Sequence, residues 1–159
     1  MLLRRAQYRA TDTPEQAAAI ARSIVIGKVV NQRSVLRRAL WDHGTAMPAP
    51  DCDALGFAID RLDRALTGLG KRMTLDEVRG MEGDAARVYF SVFAALLRDS
   101  SFTFSERLRR PPTDPVNALL SFIYALLTHD ARSALEGVGL DPAVGFLHRD
   151  RPWRPSLGP

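Results

Sequence analysis

The chain holds one cysteine, Cys52, among 159 residues. No internal disulfide can brace it, and that usage fits a reducing cytoplasm. Lysine is nearly absent as well, Lys28 and Lys71 standing against 20 arginines. No apolar run approaches the ~20 residues that a bilayer span needs. The opening Met1-Leu2-Leu3-Arg4-Arg5 lacks the long apolar stretch and small-residue cleavage site of a secretory signal. There is no Cys-x-x-Cys pair, no His-Glu-x-x-His, no Gly-x-Ser-x-Gly and no Walker loop. Zinc enzymes, serine hydrolases and P-loop nucleotide hydrolases are therefore unsupported. The period-2 alternation of strands is missing too, so the expected class is all-α, a helical bundle.

What is present describes one globular domain. Apolar types make up 46% and charged types 25%, near the average for soluble domains, and the length suits a single core. The net charge of +4 is unevenly spread. Residues 1–40 carry eight basic and two acidic side chains, residues 41–106 seven and eleven, and residues 107–159 seven and five. Basic ends around an acidic middle predict a polyanion-facing surface beside a carboxylate-bearing region. Arginine's planar fork suits bidentate phosphate contacts; codon bias in a GC-rich genome explains the same excess equally well.

The residues to Asp12 read as a linker or the tail of a preceding element. Thr13, Pro14 and Gln16 then predict a capped helix start, followed by Ile20, Ile24, Val25, Val29, Leu36 and Leu40 at helical spacing, up to a stop at Gly44 and Pro48-Ala49-Pro50. A second helix is expected from about Asp53 to Leu69, with the stripe Leu55, Ile59, Leu62, Leu66 and Leu69. Thr74 to Glu77 forms another capping box, opening a short helix broken at Gly80, and a further helix carries Ala85 to Leu97. Asp99 to Thr113 reads as turns. Asp114 then caps a helix with Pro115 in first position, so apolar from Val116 to Leu127 that it is expected at the centre of the bundle. The stretch from Gly139 onward reads as irregular.

Two residues stand out by context. Glu82 lies between Gly80 and Gly83, whose missing side chains allow another backbone or a phosphate to come close. A helix-start acid favoured by the macrodipole is the simpler account. His148 sits in a loop among Arg149, Arg151 and Arg154, where an anion is welcome. Together the two could offer mixed oxygen and nitrogen ligands to magnesium or manganese. Arg107, Arg109 and Arg110 before two prolines form a basic loop suited to phosphate. Arg22, Arg33 and Arg37 share a helical stripe, read as a solvated face or a phosphate contact. Asn31 and Gln32 are expected to make hydrogen bonds within the bundle, and His43 and His129 to sit at helix C-termini. Cys52, beside acidic residues, reads as structural or incidental.

Arg79-Gly80-Met81-Glu82-Gly83-Asp84-Ala85-Ala86-Arg87-Val88-Tyr89-Phe90 resembles the glutamate motif of the CRISPR-associated Cas1 endonuclease/integrase family. Asp114 to Phe122 is similar to that family's next helix, and Gly139 through Pro152 to its histidine motif. Ala21 to Arg38 is similar to the helix that opens its helical domain, the flavour being that of type I systems. The resemblance implies a helical catalytic domain that binds DNA and a divalent metal, magnesium or manganese, with Glu82 and His148 as catalytic metal ligands. With DNA as the polyanion, the clustered arginines Arg107, Arg109, Arg110, Arg149, Arg151 and Arg154 are the expected DNA contacts. The small Cas2 adaptation protein and a homodimer follow as partners, in the cytoplasm and away from membranes. Residues 1–12 then read as a remnant of the interdomain linker and 13–159 as the helical catalytic-type domain. The family's third ligand, an aspartate, is expected just after Arg154-Pro155-Ser156-Leu157, where Gly158-Pro159 stand. The metal site is accordingly expected to be incomplete, and a non-catalytic DNA-binding or protein-interaction module is the alternative.

Overall fold

The computed structural model describes residues 2–147. They form α1 (Leu2–Thr11), α2 (Pro14–His43), α3 (Ala49–Leu69), α4 (Leu75–Ser91), a short 3-10 turn (Phe93–Leu96) and α5 (Pro115–Gly137). No strand occurs among the described residues, as the missing alternation predicted.

Helices α2, α3 and α4 pack on one another and hold the core. Val25, Val29 and Leu36 of α2 meet Leu55, Ala58, Ile59, Leu62 and Leu69 of α3 and Val78 and Ala85 of α4. The predicted α3 stripe is the buried face, with Leu66 only partly covered. On α2 the prediction is too wide, since Ile24 is exposed. Chain direction follows from the cross-links. Arg22 donates to the Lys71 carbonyl and Lys28 to Glu82, so α2 and α4 run parallel.

The helix boundaries carry three corrections. Thr13 makes no side-chain cap; its hydroxyl donates to the Arg9 carbonyl at 3.0 Å. The end of α1 lies just before it and offers an unsatisfied acceptor. Helix α3 begins at Ala49, behind Pro48. The predicted break at Gly80 does not occur, and α4 runs unbroken through Gly80 and Gly83. A helical glycine costs about 1 kcal/mol relative to alanine. Here the complete Thr74–Glu77 capping box and the buried Val78 and Ala85 secure the helix on either side.

The largest correction concerns α5. It is not the centre of the bundle: Leu119, Phe122, Ile123, Leu126 and Leu127 are all exposed. Only Val116 and Asn117 on it are buried. The three-helix core is already filled by its own aliphatic side chains, and α5 is fixed instead by its first turn. Asn117, fully buried, uses its whole amide there. Its Oδ1 accepts from Leu108 N and Arg107 Nη1, both at 2.9 Å. Its Nδ2 donates to the Glu106 carbonyl at 2.8 Å and to Asp114 Oδ2 at 2.6 Å. His129 therefore lies inside a helix rather than at its end, whereas His43 is the last residue of α2.

The far end of α5 closes on Gly139, whose φ of 85° favours glycine. Its N–H reaches Glu136 O and that of Leu140 reaches Leu135 O, the paired bonds of a Schellman cap. The loop beyond is clasped by α1. Gln7 Nε2 donates to the carbonyls of Asp141 and Val144 at 2.9 Å each, and Asp141 N donates to Gln7 Oε1 at 2.8 Å. Tyr8 adds a hydroxyl bond to Asp141 Oδ2 at 2.9 Å.

Candidate functional site

Glu82 lies in mid-α4, one turn after Arg79 and one turn before the half-covered Ala86. Its Oε1 accepts from Lys28 Nζ of α2, and the two side chains are 21% and 42% exposed. The other acids of α4 have partners along their own helix. Glu77 belongs to the capping box, Asp76 pairs with Arg79, and Asp84 pairs with Arg87 at 2.8 Å. Glu82 reaches across to another helix. Gly80 and Gly83 beside it are open, since an added Cβ would meet nothing within 4 Å. Within this chain, then, packing does not require either glycine.

The chain leading to His148 arrives at the same helix. Arg79 Nε donates to the Leu147 carbonyl at 2.9 Å, three residues before Glu82, while Phe146 and Leu147 pack against the core. His148, Arg149, Arg151 and Arg154 lie outside the described residues. Among the described residues no group of three His, Cys, Asp or Glu side chains could hold a metal ion. They supply one suitable donor, Glu82, and with it an ammonium rather than a second carboxylate.

The arginines sort by burial. Arg109 and Arg110 are exposed. Arg107 turns inward: Nη1 reaches Asn117 and the Leu108 carbonyl, Nη2 reaches Ser121 Oγ at 3.2 Å, and the guanidinium lies 5.6 Å from the Tyr124 ring centre. Burial, aided by the Arg109 charge, lowers its pKa from the usual guanidinium value. Its Nη1 and Nη2 donors are engaged in holding α5, while Nε is buried without a partner among the described residues. Arg33 and Arg37 both grip Asp63 of α3, and the Arg33 guanidinium, before Arg37, holds that carboxyl below the usual range. The predicted α2 stripe is thus a helix–helix clamp. Gln32 departs from expectation in another way, its buried Oε1 accepting no hydrogen bond among the described residues.

Among the described residues, one concave surface lies away from Glu82. A shallow hollow of about 210 Å³ between α3 and α4 is lined by Arg61, Arg64, Met81 and Asp84 among others, and Glu82 is not part of its wall. Lys28 was not singled out by spacing. Its signal was compositional, one of two lysines, set in an apolar stretch of α2 beside Val29.

A family model described as "CRISPR associated protein Cas1" matches residues 1–158. A CRISPR-associated endonuclease Cas1 of Rhodospirillum rubrum is 58% identical over 99% of this chain and 46% of its own length. One from Chlorobaculum tepidum is 52% identical over the same shares. The chain spans about half the length of these curated relatives. Among solved structures, a Cas1 protein from Thermotoga maritima superposes with a TM-score of 0.73 at 29% identity, covering 95% of this chain and 44% of that one. A casposase bound to integration product gives 0.77 at 26% identity, over 97% and 43%. A Cas6-RT-Cas1–Cas2 complex gives 0.79 at 29% identity, over 95% and 16%.

Proposed function

The chain belongs to the CRISPR-associated Cas1 family, and from that premise we propose that it is the helical catalytic-type part of a DNA endonuclease/integrase of CRISPR adaptation. The observation that carries this reading is the meeting on α4: Glu82 faces α2, and the segment entering the histidine motif is tied to Arg79 one turn away. Glu82 and His148 are the metal ligands of the reading, with magnesium or manganese as the ion. The described residues alone do not complete such a centre. The phosphate contacts fall to the exposed Arg109 and Arg110 and to Arg149, Arg151 and Arg154. Arg107 serves that loop from inside by fixing its base. DNA and Cas2 are the partners, supported by solved relatives titled as a casposase bound to integration product and as a Cas1–Cas2 complex. A cytoplasmic location accords with the unpaired Cys52 and with the lack, among the described residues, of a helix long and apolar enough to cross a membrane.

A second reading, a DNA-binding or protein-interaction module without catalysis, draws on the single donor at Glu82 and the exposed apolar side of α5. One experiment separates the two. Cleavage of branched DNA with manganese is expected to be weak from this chain, as an incomplete metal site implies, and lost in Glu82→Ala, with DNA binding retained. Binding without any Glu82-dependent cleavage favours the second reading. In the same assay Arg109→Ala with Arg110→Ala is expected to flatten the slope of log affinity against log salt by about 0.9 per phosphate contact on duplex DNA.

A further inference from the structure

Among the described residues every arginine of α2 and α4 has an acceptor. Arg22 reaches the Lys71 carbonyl, Arg33 and Arg37 hold Asp63, and Arg38, Arg79 and Arg87 pair along their own helices. The two arginines of α3 have none. Arg61 and Arg64 are exposed, and neither side chain makes a hydrogen bond or ion pair among the described residues. Three residues apart, they are neighbours on the helix surface. Both border the hollow of about 210 Å³ between α3 and α4, whose floor includes Leu62, Ala65, Met81 and Val88. Asp84 stands on the same wall, but Arg87 meets its charge at 2.8 Å. Met81 Cε lies only 3.0 Å from where a Cβ on Gly68 would come, so that glycine leaves room for the thioether. A methionine in such a wall adapts to what it meets.

We propose that this hollow is a docking site for an acidic segment of a partner protein, which sets one leucine-sized side chain on the apolar floor and carboxylates on Arg61 and Arg64. Charge complementarity selects the sign of the occupant. Two uncompensated guanidiniums flank the opening, and the carboxylate beside them is already paired. The floor selects the class. A phosphodiester chain satisfies the guanidiniums but sets nothing against Leu62, Met81 and Val88, whereas an acidic peptide with an apolar side chain satisfies both. Glu82 is not part of this wall, so the inference does not depend on the chemistry proposed there.

A contact this small is weak on its own, so the test uses nuclear magnetic resonance, which reads weak binding and its place. Amide shifts of the ¹⁵N-labelled full chain are followed during titration with the end-capped peptide Asp-Glu-Leu-Glu-Asp. Shift changes are expected to concentrate in residues 61–65 and 81–88, the two segments that line the hollow. Replacing the peptide's leucine by alanine is expected to weaken binding about tenfold. Arg61→Ala with Arg64→Ala is expected to weaken it about three- to tenfold, the range for two exposed ion pairs. Ala65→Phe keeps both arginines but fills the hollow, and is expected to bring the leucine peptide down to the level of the alanine one. Should Ala65→Phe misfold, as judged by circular dichroism, the two peptides alone decide the role of the floor. Equal affinity for the two peptides, unchanged affinity in the arginine variant, shift changes away from both segments, or no binding at millimolar peptide each overturns the docking site. A short DNA duplex that moves these same amides at lower concentration than the peptide overturns the protein reading in favour of nucleic acid.

Discussion

Replacing Asn117 by alanine tests how α5 is attached. The amide is fully buried and makes four hydrogen bonds, to Leu108 N, Arg107 Nη1, Glu106 O and Asp114 Oδ2. At about 1 kcal/mol net for each bond, and more for any buried group left unpaired, the loss comes to about 3–5 kcal/mol. Helix α5 packs little against the three-helix core, so that loss is expected to be local. Amide hydrogen exchange read by mass spectrometry should quicken by at least about a hundredfold across residues 104–120. The thermal transition of α2, α3 and α4 should move little. Asn117→Asp keeps the shape but turns oxygen toward the Glu106 carbonyl and the Asp114 carboxylate, and should open the same segment at neutral pH. Unchanged protection would refute the hydrogen-bond account. An equal loss in the core helices would refute the claim that α5 is a separate cooperative unit.

Two further outcomes follow from the helix junctions. Thr74→Ala removes one half of the capping box and is expected to cost about 1 kcal/mol, lowering the calorimetric midpoint by about 2–4 °C, with Thr74→Ser restoring most of it. Arg33, then Arg37, hold the Asp63 pKa below its ordinary value, so the clamp's contribution is complete above that value and is lost as pH falls through the lowered folded one. Urea midpoints of the parent and of Asp63→Asn should differ at about pH 6 and converge toward about pH 2–3; a gap that widens on acidification would refute the clamp.

The elements whose burial follows from periodicity were legible in the sequence. The α3 stripe, the Thr74 box, the Asp114 cap and the stop at Gly44 all appear where local chemistry puts them. What misled was composition without context. A helix apolar on most of its sides reads as central, but α5 is held at its first turn and Leu119, Phe122, Leu126 and Leu127 face outward. Gly80 read as a break because glycine weakens a helix in isolation; packing at Val78 and Ala85 outweighs that deficit. At the candidate site, Glu82 was legible from its motif and its glycines. Lys28 was not, because the pairing of residues 54 positions apart depends on α2 and α4 lying parallel, and no local pattern reports direction. Arg107 looked like its neighbours Arg109 and Arg110 in the sequence, and only the fold separates the inward guanidinium from the outward pair.

The clasp of α1 on the loop after α5 bears on the order in which the molecule assembles. Gln7 and Asp141 are 134 residues apart, whereas the link from Arg22 to Lys71 spans 49. Closing the larger ring costs about 0.9 kcal/mol more in chain entropy, and nearly every other element must already be folded for the two ends to meet. The three-helix core is therefore expected to form the nucleus, with the clasp joining after the rate-limiting step. Weakening Gln7 would then hasten unfolding while leaving the folding rate almost unchanged. On this expectation, the residues that steer the approach to His148 are the last to be set in place and the first to be released.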